Sequence, residues 1–336
     1  MSINIILIII LINFFLFKIN ESVAKKINLY DIPNNIRKLH KKPTPLNGGI
    51  FYFVNLFLIF IFDIFFNNFN LISVFGLSNE VNSILTLLVV FSLLILGIID
   101  DKISLKPISK SLVSMIIFFI YLSIGTEYLI IDLRFKTFNF TLDLFGLSLV
   151  FTILCFMTLQ IIFNMYDGIN LQSAAYYSLI LLHLMIINQK YSLFIFCLLT
   201  LIYLIYFSIY NYKQKLFFGD NGVYIFSFIL SLLIIQTYKD SESLILVEEI
   251  FVILFIPTID MLRLFFSRLF NNKNPLKADR MHLHHILLKK YGLIKANILL
   301  ILPLSSSILL LNFTSINIIV IIMINMFSYL YLLRSK

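Results

Sequence analysis

Eleven apolar runs of membrane-spanning length set the terms for this chain. They lie near 3–18, 48–66, 84–99, 111–125, 145–163, 174–188, 191–210, 222–237, 245–266, 297–312 and 314–333. Hydrocarbon offers no partner to a backbone N–H or C=O, so each run must satisfy its own hydrogen bonds and become a helix. The expected fold is therefore all-α, a polytopic bundle of about 10–11 transmembrane helices. Composition agrees: 60% of the 336 residues are hydrophobic and only 13% charged, against about a quarter charged in a soluble domain. The first run, INIILIIILINFFLF, has no basic leader and no small-residue cleavage site, and reads as a retained span. Cys155 and Cys197 sit in apolar runs as small core residues. With no repeat and no low-complexity linker, residues 1–336 form a single membrane domain. No nucleic-acid module is present.

Charge orients the bundle. Counting helix-end residues with their nearest loop, the loops around 19–47, 100–110, 164–173, 211–221 and 267–296, with the C-terminus, hold 22 of the 26 Lys and Arg residues; the other side holds Arg134, Lys136, Lys190 and Lys239. The positive-inside rule puts the N-terminus outside and the C-terminus in the cytoplasm. On the outer side, residues 129–143 (LIIDLRFKTFNFTLD) alternate apolar and polar in part, the period of a short β-hairpin.

The polar clusters all fall on the cytoplasmic side. DIPNNIRKLHKKPTPLNGGI gathers Arg37, Lys38, His40, Lys41 and Lys42, then stiffens at Pro43 and Pro45 and ends in Gly48 and Gly49, which permit close helix packing. Asp100 and Asp101 end a run with two adjacent carboxylates, and adjacent helical side chains point about 100° apart, so the two must face different partners. Asn164, Asp167, Gly168 and Asn170 interrupt two spans, and Asp220 lies between Gly219 and Gly222. The last cluster carries Lys277, Asp279, Arg280, His282, His284 and His285. On a helix, His282 and His285 share a face and His284 points away, which disfavours a closed zinc site and favours a phosphate-binding set.

Each cluster has a bland reading: lipid anchoring for the basic loop, helix-end solvation for Asp100 and Asp101, an Asp-Gly turn at Asp167, a helix N-cap at Asp220, a solvated loop for the histidines. Acids and bases converging on one membrane face are better explained by a divalent cation and phosphates, because Mg²⁺ takes one or two carboxylates and shares substrate phosphate oxygens.

Five motifs in order then resemble the polyprenyl-phosphate N-acetylhexosamine-1-phosphate transferases. They are D-x-P-x-x-x-R-K-x-H-x-x-P-T-P-x-x-G-G over Asp31–Gly49, G-x-x-D-D at Gly97–Asp101, N-x-x-D-G at Asn164–Gly168, F-x-G-D-x-G at Phe217–Gly222, and H-x-H-H at His282–His285 after P-x-x-D at Pro257 and Asp260. The H-x-H-H form is similar to the WecA and TagO branch rather than the MraY branch. The resemblance implies a helical bundle in the bacterial cytoplasmic membrane with a cytoplasmic site. It implies an Mg²⁺-dependent transfer, with Mn²⁺ as a substitute, of a hexosamine 1-phosphate from a UDP-sugar to polyprenyl (undecaprenyl) phosphate, releasing UMP and initiating a cell-surface glycan. UDP-N-acetylglucosamine is the default donor. The catalytic residues it implies are Asp100, Asp101, Asp167 and Asp220, with Asp220 and Asp101 at the metal. His40, Lys110, Asn164, Arg280, His282, His284 and His285 would bind substrate. Membrane lipids and a second copy of the chain, as a homodimer, complete the expected partners.

The chain departs from the family at Asn170, Ile161 and Val223. Asn170 keeps hydrogen bonding but lacks a charge, so it is no metal ligand, and another donor such as UDP-N-acetylfucosamine or UDP-N-acetylquinovosamine is the alternative. A lipid-linked transporter or flippase is the rival class. It would need polar groups near mid-bilayer, and the acids here cluster at one surface. A lipid phosphate has a second pKa of about 6 and is mostly dianionic at pH 7, so direct attack is favoured over a covalent Asp100 intermediate.

Overall fold

The computed structural model describes residues 2–33, 42–66, 74–75, 80–240, 244–274 and 280–334. Thirteen α-helices run through them: α1 Ser2–Lys18, α2 Asn20–Ile27, α3 Gly48–Phe66, α4 Glu80–Ile103, α5 Pro107–Ile124, α6 Ser148–Tyr166, α7 Gln172–Ile187, α8 Tyr191–Tyr212, α9 Gly219–Lys239, α10 Val247–Ile253, α11 Phe255–Phe270, α12 Leu283–Phe313 and α13 Ile318–Leu333. Six are long and apolar enough to cross a membrane alone. Two bent pairs, α1 with α2 (59°) and α10 with α11 (77°), pass jointly, and three shorter apolar helices accompany them. These segments coincide with the eleven predicted runs, and the chain is a multi-pass membrane protein.

The hairpin expected at 129–143 is present. β3 (Asp132–Phe135) pairs antiparallel with β4 (Phe140–Asp143). Glu248 of α10 accepts from the Lys136 and Thr137 N–H groups at its turn, and Tyr238 O–H lies 2.8 Å from the Arg134 N–H that donates to it. A second antiparallel pair, β1 (Tyr30–Asp31) with β2 (Thr44–Pro45), closes the base of the first basic loop.

α9 is the axis of the bundle. It packs on α4, α6 and α3, and 94% of its spanning window is buried. Outer helices instead expose apolar side chains, as α5 does with Ile116, Phe119 and Ile120. Glycines let the helix ends meet. A Cβ on Gly49 would lie 2.2 Å from Asn221 Oδ1, and one on Gly97 would lie 2.2 Å from Asn221 Cα. The polar start of α9, with Asp220, is thereby drawn against the ends of α3 and α4.

Candidate active site

The turn after α4 explains the first aspartate. α4 ends at Ile103, Ser104 takes a left-handed φ of 52°, and α5 begins with Pro107 at its first turn. Asp100 Oδ1 accepts the Leu105 N–H at 2.8 Å. The chain doubles back so that Lys110, one turn into α5, places Nζ 2.8 Å from Asp100 Oδ2 and 3.9 Å from Asp220 Oδ2. Tyr224 O–H donates to the same Asp100 oxygen at 2.7 Å.

Asp101 faces the other way, as the helical offset predicts. Its Oδ1 accepts the Asp220 N–H at 2.9 Å, and its Oδ2 accepts the Asn221 N–H at 3.2 Å and the Asn221 amide at 2.5 Å. It supplies the side-chain cap for α9 from another helix. The bland expectation that Asp220 is itself an N-cap is thus corrected: Phe218 occupies that position without a side-chain cap, and Asp220 sits in the first turn. Gly219 has φ +72°, and a Cβ there would lie 2.7 Å from Asp101 Oδ2, so this residue must be glycine.

α6 delivers the third motif. Asn164 Nδ2 donates to Asp220 Oδ1 at 2.5 Å. Asp167, at the C-terminal end of α6, accepts from Ser173 Oγ at 2.6 Å. Burial pushes the Asp167 carboxyl up to about 6 against that hydrogen bond. Asn170 donates its amide to the Asn211 carbonyl at 2.8 Å, a bond an aspartate carboxylate could not make.

The histidines correct one expectation. His282 is not on the helix; it is the extended residue before α12 (φ −63°, ψ 148°). Its ring therefore swings onto His284, with centroids 5.3 Å apart and planes 6° apart, and His285 meets His284 edge-on at 4.3 Å. His284 does not point away from the others. Its Nε2 lies where a Cβ on Gly168 would come within 1.9 Å, so the last motif seats on the Asp167–Gly168 turn. The end of α6 thus joins the carboxylates to the histidines. Arg280 is exposed beside them. His40 lies outside the described residues, as do Arg37, Lys38, Lys41, Lys277 and Asp279.

Two clusters are chemically able to hold a cation. Among the described residues, Asp100, Asp101 and Asp220 set three carboxylates against one lysine. Asp101 and Asp100 are each engaged by three donors, whereas Asp220 accepts from Asn164, which leaves Asp220 with the most lone pairs to offer. This excess of negative charge on oxygen ligands fits Mg²⁺. Asp260, His282 and His284 also bring ligand atoms within 4.8 Å of one another. There, however, an Arg263 nitrogen lies 2.8 Å from the same carboxylate and repels a dication. In the sequence Pro257 and Asp260 stand out only as a motif; besides Arg263 on its own helix, Asp260 meets His282 and Tyr329, which lie 22 and 69 residues further along the chain. An open groove beside Asp101 is lined by Asn28, Leu29, Tyr30, Ile32, Pro43 and Lys102.

The family model for glycosyl transferase family 4 matches residues 83–238, which span Asp100 to Asp220. The undecaprenyl-phosphate alpha-N-acetylglucosaminyl 1-phosphate transferase of Pasteurella multocida is 27% identical over 80% of this chain and 73% of its own. The Salmonella typhi protein of the same name is 26% identical over 83% and 76%. The probable undecaprenyl-phosphate N-acetylglucosaminyl 1-phosphate transferase of Bacillus subtilis is 26% identical over 80% and 72%. The family match across the carboxylate cluster and relatives aligned along most of their length lead to one conclusion: over residues 83–238 the chain is similar to glycosyl transferase family 4.

Proposed function

We propose that the protein transfers a hexosamine 1-phosphate from a UDP-sugar, by default UDP-N-acetylglucosamine, to undecaprenyl phosphate at the cytoplasmic face of a bacterial inner membrane. The observation that carries this reading is the Asp100–Lys110–Asp220–Asn164 cluster at the ends of four helices. A greasy phosphate and a water-soluble nucleotide sugar have to meet at such a membrane edge. Both are anions, so their approach requires cations and fixed donors.

In this reading an oxygen of the lipid phosphate attacks the β-phosphorus of the donor. The bond from that phosphorus to the bridging oxygen of UMP breaks, and UMP departs with the electron pair. Mg²⁺, held by Asp220 with Asp100 beside it, would neutralise phosphate charge when bound. Asp101 keeps Asp220 in place through the start of α9 rather than acting as the primary ligand. Lys110 supplies a cation between the two carboxylates. Asp100 is already tied to Lys110, Tyr224 and the Leu105 N–H. A carboxylate stabilised in this way is a weak nucleophile, which favours direct attack by the lipid phosphate. His284 and His285, with Arg280, would meet the diphosphate from the α12 side.

The test is to incubate purified protein with undecaprenyl phosphate, Mg²⁺ and a panel of UDP-hexosamines. Release of UMP with one polyprenyl-diphospho-sugar per turnover supports the reading. No release with any donor refutes it.

A further inference from the structure

Three separated parts of the chain converge on one buried carboxylate. Asp260, on α11, is 4% exposed. Its Oδ1 accepts from Arg263 at 2.8 Å and from Tyr329 of α13 at 2.9 Å; its Oδ2 faces His282 Nδ1 at 2.8 Å. The Leu283 N–H points at both oxygens, at 3.2 and 3.3 Å. Arg263 also donates to Tyr329 O–H at 2.6 Å and to the Met281 carbonyl at 2.8 Å, next to His282. So many partners exceed what anchoring a loop requires, and they have one chemical consequence. A carboxylate paired with a guanidinium only accepts, so His282 Nδ1 must carry a proton. Nε2 then becomes the ring's functional atom.

The ring so fixed lies flat on His284, which rests on Gly168 beside Asp167. That stack continues through the end of α6 to Asn164 and Asp220. We propose that Asp260 is a positioning residue that acts through His282, holding Nδ1–H so that Nε2 is turned to the diphosphate of the donor. Resting on the transferase reading above, the inference assigns the buried Asp260 and Tyr329 and the half-buried Arg263 to donor binding rather than to lipid binding.

A double-mutant cycle on the full-length purified protein tests it, with the KM for UDP-N-acetylglucosamine and for undecaprenyl phosphate measured separately. Asp260→Asn should raise the donor KM about tenfold or more, the scale of a charge-assisted hydrogen bond, and change the lipid KM less than twofold. In a His282→Ala background the same substitution should change the donor KM less than twofold, because the group it acts through is gone. His282→Gln, whose amide reaches toward the Nε2 position without needing Asp260, should be equally insensitive. If Asp260→Asn does not insert, Tyr329→Phe replaces it in the cycle and should show the same non-additivity at two- to threefold amplitude. Additive losses, or equal rises in both KM values, would make Asp260 a structural strut and overturn the proposal. Inactivation by a zinc-selective chelator with recovery on adding Zn²⁺ would overturn it too, by making Asp260, His282 and His284 a metal site. A wild-type protein that releases no UMP would instead fail the transferase reading itself.

Discussion

At the scale of single residues, the two adjacent aspartates do different work, and substitution separates them. Asp220→Asn keeps the size of the side chain and removes an anion from the cation site. Transfer should fall by about 10²-fold or more, and undiminished turnover with unchanged Mg²⁺ dependence would contradict the assignment. Asp101→Asn should lower both activity and the melting temperature, because an amide nitrogen would face the N–H donors at the start of α9. Asp100→Asn should abolish transfer with a smaller thermal effect; equal melting losses for the two would contradict the division of roles. Asp167 adds a pH signature. Its folded pKa of about 6 lies above the usual carboxylate range, so the fold disfavours its charge, and the resulting cost in stability grows as pH rises from about 4 through 6. Asp167→Asn removes that cost while an amide oxygen still accepts from Ser173. It should therefore melt higher than wild type at pH 7–8, and the gap should close as pH falls through 6 toward 4. A gap independent of pH would show that the carboxylate is not the cause.

Between elements, close approach decides the site. Gly97→Ala puts a methyl into the backbone of α9 at Asn221. Overpacking of this kind costs about 1–3 kcal/mol, and here it should also push Asp220 away from Asp100. Both melting temperature and turnover should drop; retention of both would mean that α4 and α9 do not meet at this glycine. Much of this level was legible in the sequence. The apolar runs marked the spans because a bilayer forces helices, and the alternation in LIIDLRFKTFNFTLD marked the hairpin. Gly48 and Gly49 were readable as a packing site. The histidine geometry was not, because a helical period assigns faces only to residues inside a helix, and His282 stands just before one. The cap on α9 was hidden for a related reason: Asp101 lies over a hundred residues from the N–H groups it receives, and local capping rules look only at neighbours. Asp260 was visible as a motif, while its partners Tyr329 and His282 were visible only in the fold.

For the whole molecule, the site lies at the helix ends whose loops hold most of the lysines and arginines, which the positive-inside rule predicts to be the cytoplasmic side. In a Cys155→Ala, Cys197→Ala background, a cysteine at Phe138, exposed on the hairpin, should react with a membrane-impermeant reagent in intact cells. One at Lys273, after α11, should react only once the membrane is opened. The reverse pattern would put the carboxylates and the nucleotide sugar on opposite sides. The central claim is direct transfer between a cytoplasmic donor and a lipid phosphate, and UMP release measured with and without lipid tests it most directly. With UDP-N-acetylglucosamine and Mg²⁺ alone, the purified protein should release no UMP. Adding undecaprenyl phosphate should release one UMP for each polyprenyl-diphospho-sugar formed, and Asp220→Asn should abolish it. A burst of UMP stoichiometric with enzyme before any lipid is added, and lost in Asp100→Asn, would contradict the account by revealing a covalent sugar-phosphate intermediate on Asp100.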